Sequence, residues 1–184
     1  TQYSSPVQIP GTNWASVKMA YYNTFAWKTD GTLWVWGENT NGELGLNNRT
    51  RYSSPVQLPG TNWTAGIFSS SNASLVMKTD GTLWTMGSGL YGVTGQNNVT
   101  YYSSPVQIPG TNWKDAKATA TNASAVKTDG TLWTWGTNQD HGLLGLNQAV
   151  PVKLSSPTQI GTDTDWDHLQ ENSNAQTIAA FKKI

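Results

Sequence analysis

Three aspartates near the end of the chain have the alternating spacing of a calcium-binding loop. Asp163, Asp165 and Asp167 lie in the segment TDTDWDHLQEN, and alternating carboxylates can supply the hard oxygen ligands that calcium prefers. An EF-hand loop also needs glycine at its sixth position and glutamate at its twelfth, whereas this segment has His168 and Asn174 there. The three aspartates are therefore a candidate metal site, but the pattern favours a solvated turn, and no cofactor is predicted.

Histidine-based catalysis has little support in the sequence. The chain contains two histidines, His141 and His168, and each directly follows an aspartate. An Asp-His pair acts in nucleophilic catalysis when a serine or cysteine completes it. Neither pair is accompanied by such a nucleophile motif, so both are interpreted as surface positions and no catalytic residue is predicted.

Aromatic recognition is the second kind of chemistry to consider, because the chain has ten tryptophans and few charges. One tryptophan follows a polar turn in each of four similar segments, and these four are the candidate ligand-binding residues: Trp14, Trp63, Trp113 and Trp166. An aromatic face amid Asn, Thr and Gln loops suits a neutral sugar. Packing between repeats explains the same recurrence and is the favoured interpretation.

Three further aspartates recur in one heptamer, KTDGTLW, at residues 28–34, 78–84 and 127–133. Asp30, Asp80 and Asp129 each precede glycine, and an Asp-Gly pair between two β-rich runs is a strong hairpin signal. Aspartate in such a turn bonds to its own backbone. The three aspartates are therefore predicted to be turn residues and not catalytic acids.

The whole chain is a repeat of about fifty residues. A segment YSSPVQ(I/L)PGTNW also occurs three times, with a degraded fourth copy, LSSPTQIGTDTDW. A period near fifty is typical of propeller blades and other β-repeats, in which each unit stacks on its neighbours. We predict a single repeat domain over residues 1–184. Its units are about 1–50, 51–100 and 101–150, with a partial, capping unit at 151–184.

Each unit is predicted to form four strands. The heptamer turn joins arms at 24–29 and 32–36, the proline-bracketed SSPVQ suits an edge strand, and a fourth strand follows the tryptophan of TNW at 15–20. The chain opens on an SSPVQ strand and closes on QTIAAFKKI, which matches the strand before the heptamer. A short helical turn is predicted near 167–171.

These units resemble the RCC1-type repeat, whose pattern runs approximately D-G-x-aromatic-x-W-G-x-N-x-x-G-x-L-G. The first unit matches at Asp30, Gly31, Trp36, Gly37, Asn39, Gly42, Leu44 and Gly45. The third unit matches at Asp129, Gly130, Trp135, Gly136, Asn138, Gly142, Leu144 and Gly145. The second unit departs from the pattern, with Met86 in place of the second tryptophan. The resemblance implies the seven-bladed β-propeller of that family.

Other departures limit what the resemblance implies about activity. Where the family commonly has a histidine before the hairpin, this chain has Asn23, Asn72 and Asn122. The best-known member catalyses nucleotide exchange on a small GTPase and contacts chromatin. A neutral chain without a long inserted wedge between its strands gives no grounds for either activity. The tryptophan-rich style looks more like environmental bacterial and phage versions of the repeat.

The predicted fold is therefore all-β, with RCC1-like β-propeller blades. The repeats provide about three and a half to four four-stranded blades, which form an open arc or a half-ring completed by another chain or segment. Three arrangements remain open: part of a longer polypeptide, two chains that close one ring, or a short capped arc. In the first two, a protein partner or self-association completes the propeller.

Composition excludes several function classes. Eleven basic and eleven acidic residues cancel, and no basic cluster suits a nucleic-acid partner. The chain has no cysteine and no apolar run long enough for a membrane span. The predicted function is a non-enzymatic structural and interaction module on a phage virion or bacterial surface, which favours an extracellular, cell-surface or virion location. The alternative is a multivalent, lectin-like propeller with a glycan partner.

Overall fold

The computed structural model describes residues 5–69, 73–138, 142–147, 152–171 and 178–183. Within these ranges every regular element is a β-strand, and the strands form three four-stranded antiparallel sheets and one two-stranded sheet. None of the described elements is a helix long and apolar enough to cross a membrane. The all-β prediction is confirmed.

The strands follow the repeat. The first sheet contains β1 (Trp14–Met19), β2 (Asn23–Lys28), β3 (Leu33–Gly37) and β4 (Tyr52–Gln57). The second contains β5 (Trp63–Ser69), β6 (Ala73–Lys78), β7 (Leu83–Gly87) and β8 (Tyr102–Gln107). The third contains β9 (Trp113–Ala118), β10 (Asn122–Lys127), β11 (Leu132–Thr137) and β12 (Lys153–Gln159). The last sheet is the hairpin β13 (Trp166–Glu171) and β14 (Ile178–Lys182).

Each four-stranded sheet is a meander in which neighbouring strands are consecutive in sequence. The central hairpin is the heptamer, as predicted, and Gly31 adopts a φ of 78° in its turn, a conformation that glycine accepts without steric cost. The SSPVQ strands β4, β8 and β12 lie at the sheet edge. Proline has no N–H to donate, and an edge strand tolerates it because its outer side has no neighbouring strand to bond.

Packing between sheets sets the order of the blades. We call the side of each sheet that faces the next blade its forward face, and the opposite side its backward face. The forward residues Trp27 and Leu33 of the first blade pack on the backward residues Val76 and Met86 of the second. The second blade packs in the same way on the third, with Trp135 buried at the junction. The arc is thus a linear array in which each blade contacts its sequence neighbours.

Two of the predicted elements are wrong. Residues 5–13 were expected to begin with an edge strand but form none, although the same sequence at 104–112 contributes to β8. The difference arises because β8 pairs with β7, while the N-terminal copy has no third strand beside it among the described residues.

The short helical turn expected near 167–171 is also wrong, since these residues belong to strand β13. Leu169 is buried against the third blade while its neighbours His168 and Gln170 are exposed. That alternation has the period of a strand. The predicted closing strand in QTIAAFKKI is confirmed as β14, which pairs with β13.

Candidate functional site

The recurring heptamer forms the same polar clasp in every complete blade. In the first blade, Asp30 Oδ1 accepts hydrogen bonds from the backbone N–H and the hydroxyl of Thr32, at 2.9 and 2.7 Å. The Thr32 hydroxyl in turn accepts the indole N–H of Trp34 at 3.0 Å. The Lys28 ammonium lies 4.3 Å from the Trp34 ring and 5.1 Å from the Trp14 ring. The aspartates are turn residues, as predicted.

The clasp also fixes the electrostatics of the turn. In all three blades the threonine hydroxyl two residues on, followed by its backbone N–H, holds the pKa of Asp30, Asp80 and Asp129 below its usual range. Hydrogen bonds that stabilise a carboxylate have this effect. A carboxyl whose folded pKa is depressed contributes stability above its unfolded pKa, and the contribution is lost as pH falls through the folded pKa.

Replacing Thr131 with valine is therefore expected to destabilise the third blade in a pH-dependent way. The change removes the 2.7 Å bond to Asp129 and the acceptor of the Trp133 indole N–H, at about 1 kcal/mol per hydrogen bond. The difference from wild type should be largest above about pH 4, near the unfolded aspartate pKa, and should shrink as the solution is acidified. Urea unfolding across pH 2–7 measures it. Thr111→Val, in an exposed turn, is the matched control, and an equal, pH-independent loss in both variants would contradict the assignment.

The four candidate ligand-binding tryptophans occupy the same place in their units. Trp63 and Trp113 are buried, each in an edge-on pair with the heptamer tryptophan, Trp84 and Trp133, at 6.2 and 6.1 Å. Trp14 and Trp166 are half-buried. The rings thus contribute to packing within the clasp, and Trp14 also lines an open cavity.

The three candidate metal residues form ion pairs with two lysines. Asp163 and Asp165 both pair with Lys182, at 2.6 and 3.0 Å, and these carboxylates raise the lysine pKa. Asp167 pairs with Lys114 of the third blade, and the hydrogen bond from that lysine lowers the Asp167 pKa. Among the described residues no group of three or more His, Asp or Glu side chains has the arrangement of a metal site.

Of the two histidines, His168 lies exposed on β13 and stacks on Phe181, with ring centroids 4.9 Å apart. His141, with Asp140 before it, lies outside the described residues, as do Asn72 and Asn174. Sequence reasoning missed Glu43, whose side chain is fully buried between the first two blades. Burial raises the Glu43 pKa, while the backbone N–H of Asn41 donates to it at 2.7 Å. The sequence feature that could have identified Glu43 is its charge, because the equivalent positions of the other two repeats are the apolar Val93 and Leu143.

The backward face of the first blade leaves an apolar surface open. A cavity of about 330 Å³ lies there, lined by Ile9, Trp14, Ala15, Ser16, Val17, Ala26 and Trp36. Val17 is 57% exposed and Met19 is 83% exposed. Large exposed apolar patches of this kind mark interaction surfaces.

The same positions in the third blade show what normally covers this face. Register with the second strand aligns Val17 and Met19 of β1 with Ala116 and Ala118 of β9, which are 0% and 1% exposed against the second blade. Trp135, which corresponds to the half-buried Trp36, is fully buried and donates its indole N–H to the Val93 carbonyl at 2.7 Å. The open face of the first blade therefore has the shape and chemistry of a blade-blade interface.

Radially ordered four-stranded meanders that stack face to face define a partial β-propeller, with about three and a half blades in this chain. The model of the family described as Regulator of chromosome condensation (RCC1) repeat matches residues 30–77. The blades are RCC1-like, as the resemblance in the sequence implied. No curated protein sequence matches the chain.

Solved structures of RCC1-like propellers share this fold. The structure of Prp20p from Saccharomyces cerevisiae, described with its binding to Gsp1p and histones, superposes with a TM-score of 0.72 at 20% identity, over 82% of this chain and 39% of that one. Yeast RCC1 (Prp20) bound by Kap60 gives 0.71 at 20% identity, over 82% and 37%. Human WBSCR16 gives 0.71 at 20% identity, over 85% and 40%. The chain thus spans about two fifths of the length of these proteins.

Proposed function

We propose that this protein is a non-enzymatic structural and interaction module that binds protein through the open end of its blade arc. The observation that carries the proposal is the exposed backward face of the first blade, where Val17 and Trp36 line an apolar cavity and Met19 is 83% exposed. Apolar and aromatic side chains clustered around a pocket are typical centres of protein interfaces.

The use of the repeated polar residues supports a role without catalysis. The aspartate, threonine, tryptophan and lysine of each heptamer bind one another within the clasp. Groups that satisfy one another inside a turn are positioned for stability of the blade. In the described residues, the buried Glu43 carboxylate accepts a hydrogen bond from the backbone N–H of Asn41. The acidic side chain that affects its pKa is Glu38, whose charge helps to raise it.

The structural neighbours add indirect support. Prp20 is described with the protein partners Gsp1p, histones and Kap60, so one propeller with this fold binds proteins. At 20% identity the likeness is one of fold, and fold alone does not transfer a partner. The partner of this chain is therefore sought through its own exposed face.

Changing Val17 to lysine tests the proposal. The wild-type protein, used as bait, is expected to capture a partner protein from the source cells or particles. The amount captured by the Val17→Lys variant should be at least tenfold lower, because a buried unpaired ammonium opposes docking. Val99→Lys is the matched control, since Val99 is 48% exposed on a loop away from this face. Equal capture by all three baits, or no specific capture by any, would contradict the proposal.

We further propose that the module is placed on a phage virion or bacterial surface. The neutral composition, the polar loops and the phage-like style of the repeats support this placement. Quantitative proteomics of purified virions, surface fractions and cytosol checks it. Enrichment of the chain with particles or surface material is expected, and recovery in the cytosol alone would contradict it.

Carbohydrate binding stays an alternative, favoured by one observation. Trp14 lines the open cavity beside Ser16, so a ring edge and a hydroxyl are accessible together there. A glycan array with multivalent display tests it, since avidity amplifies weak sites. Binding that Trp14→Ala abolishes and Trp166→Ala spares would support this alternative, and a blank array would remove it.

A further inference from the structure

The two ends of the arc carry opposite faces of the same interface. The first end is the backward face of the first blade, formed by Val17 and Met19 on β1, Ala26 on β2 and Trp36 on β3 with the cavity between them. Inside the chain, the corresponding backward faces are buried by the preceding blade. In the described residues, the backward face of the first blade is exposed where the other backward faces are buried.

The second end is the forward face of the hairpin β13–β14. Phe181 stands one residue before the clasp lysine Lys182, as Trp27 stands before Lys28. Trp27 is 3% exposed and packs against the second blade, whereas Phe181 is 41% exposed. His168 stacks flat on the Phe181 ring, with planes 5° apart. The position that packs on the next blade as Trp27, Met77 and Val126 in the complete blades is therefore occupied at this end by an exposed aromatic side chain.

A third uncovered surface lies on the loop that follows β11. In the first blade, a Cβ at Gly42 would lie 2.7 Å from the Ser103 Cα of β8, and the Asn47 N–H donates to the Ser103 carbonyl at 2.6 Å. The corresponding Gly142 has no described atom within 4 Å of its Cβ direction. Two further β8 residues contact the first loop: the Ser104 hydroxyl donates to Asn47 Oδ1 at 3.2 Å, and Pro105 lies 3.3 Å from the Cβ direction of Gly45. Their counterparts near the N-terminus, Ser5 and Pro6, form no strand.

We propose that two copies of this chain dock head to tail, the forward end of each on the backward end of the other. The proposal rests on the proposed function and names the partner as a second copy. Phe181 of the first copy enters the cavity between Val17, Ala26 and Trp36 of the second copy. Residues 5–8 of the second copy cover the loop at Gly142 of the first.

Ring geometry favours a second copy as the occupant. Propellers typically close with about four to eight blades, and the described arc has about three and a half. Two arcs supply about seven, which lies inside that range. A heterologous interface that repeats around a closing rotation produces a ring and leaves no end exposed. The formal net charge of zero puts no electrostatic repulsion between identical chains.

The experiment is light scattering of the 184-residue chain and three variants. Wild type should have twice the 20.0 kDa chain mass. Val17→Lys blocks the backward end and Phe181→Lys blocks the forward end, so each alone should be a monomer. Their equimolar mixture should recover the double mass, because one unblocked end of each kind remains. Val99→Lys should behave as wild type. Met19→Lys, on the same face as Val17, replaces Val17→Lys if that variant misfolds by circular dichroism.

Each outcome decides the proposal. Double mass in wild type and in the mixture, with monomers for the single variants, supports head-to-tail docking. A wild-type monomer, double mass that survives both lysine variants, or single variants that the mixture does not restore would each overturn it. A wild-type monomer whose capture of another protein still depends on Val17 would overturn the second-copy occupant and leave the proposed function standing. A monomer without such capture would contradict both.

Discussion

Replacing Trp135 with alanine is expected to lower the free energy of unfolding by about 3–5 kcal/mol, the range for deleting a fully buried tryptophan. Trp135 is completely buried between the second and third blades, and its indole N–H bonds to the Val93 carbonyl at 2.7 Å. The variant leaves both a cavity and an unpaired carbonyl. Urea unfolding followed by circular dichroism measures the loss.

The chain provides its own control for this prediction. Trp36 holds the same position in the first blade but is half-buried on the open face. In the Phe181→Lys background, which keeps the copies apart, Trp36→Ala should therefore cost only about 1–2 kcal/mol for the partial burial. Equal losses at the two sites would mean that the first blade is covered in the isolated chain, and the blade order described above would be wrong.

Alanine at Gly42 is the second change with a large expected effect. Gly42 has a φ of 85°, which costs a side chain about 1–2 kcal/mol. The added Cβ would also meet the Ser103 Cα at 2.7 Å and the Tyr102 carbonyl at 3.0 Å. Forcing backbone apart at a packed junction adds about 1–3 kcal/mol. A total loss of about 2–5 kcal/mol is expected from the two effects together.

Gly142→Ala separates these two contributions. Gly142 has a φ of 65° and no described atom within 4 Å of its Cβ direction, so the conformational cost of about 1–2 kcal/mol should appear alone. The difference between the two alanine variants, measured by urea unfolding in the Phe181→Lys background, reports the contact between neighbouring blades. No difference between them would contradict the contact at Ser103.

The parts of the fold that local sequence encodes were predictable. The hairpin of each blade follows from Asp30-Gly31 between two apolar runs, because the turn and both arms are adjacent in the chain. Proline in SSPVQ indicated an edge strand for the same local reason. The closing strand β14 was recognised because its sequence resembles that of β2.

Elements that depend on non-local partners were predicted less well. Residues 5–8 have the sequence of a strand but lack the third strand to pair with, so identical sequences differ in structure. Strand β13 was read as a helical turn because charges obscure the single buried residue, Leu169. Strand pairing and burial are set by tertiary neighbours more than by intrinsic preference.

The residue types of the candidate site were predicted better than their contacts. The recurring tryptophans suggested packing or sugar binding, and in the structure each lies beside the clasp lysine of its own unit, Lys28, Lys78, Lys127 or Lys182. Lysine over two tryptophan rings is a cation–π contact that spacing alone did not indicate. An open arc was predicted from the sequence, but the residues of its open face were not, since Val17 and Ala116 differ in exposure and not in apolar character.

The most direct test of the account is a cross-link between the two ends of the arc. The chain has no cysteine, so Val17→Cys and Ala179→Cys introduce single reactive thiols on the backward and forward faces, at exposed positions. A mixture of the two variants, treated with a short bis-maleimide, is predicted to give a covalent pair of twice the 20.0 kDa chain mass, while either variant alone gives none. A mixture that stays uncross-linked, or a variant that cross-links to itself as readily, would contradict head-to-tail closure of the propeller.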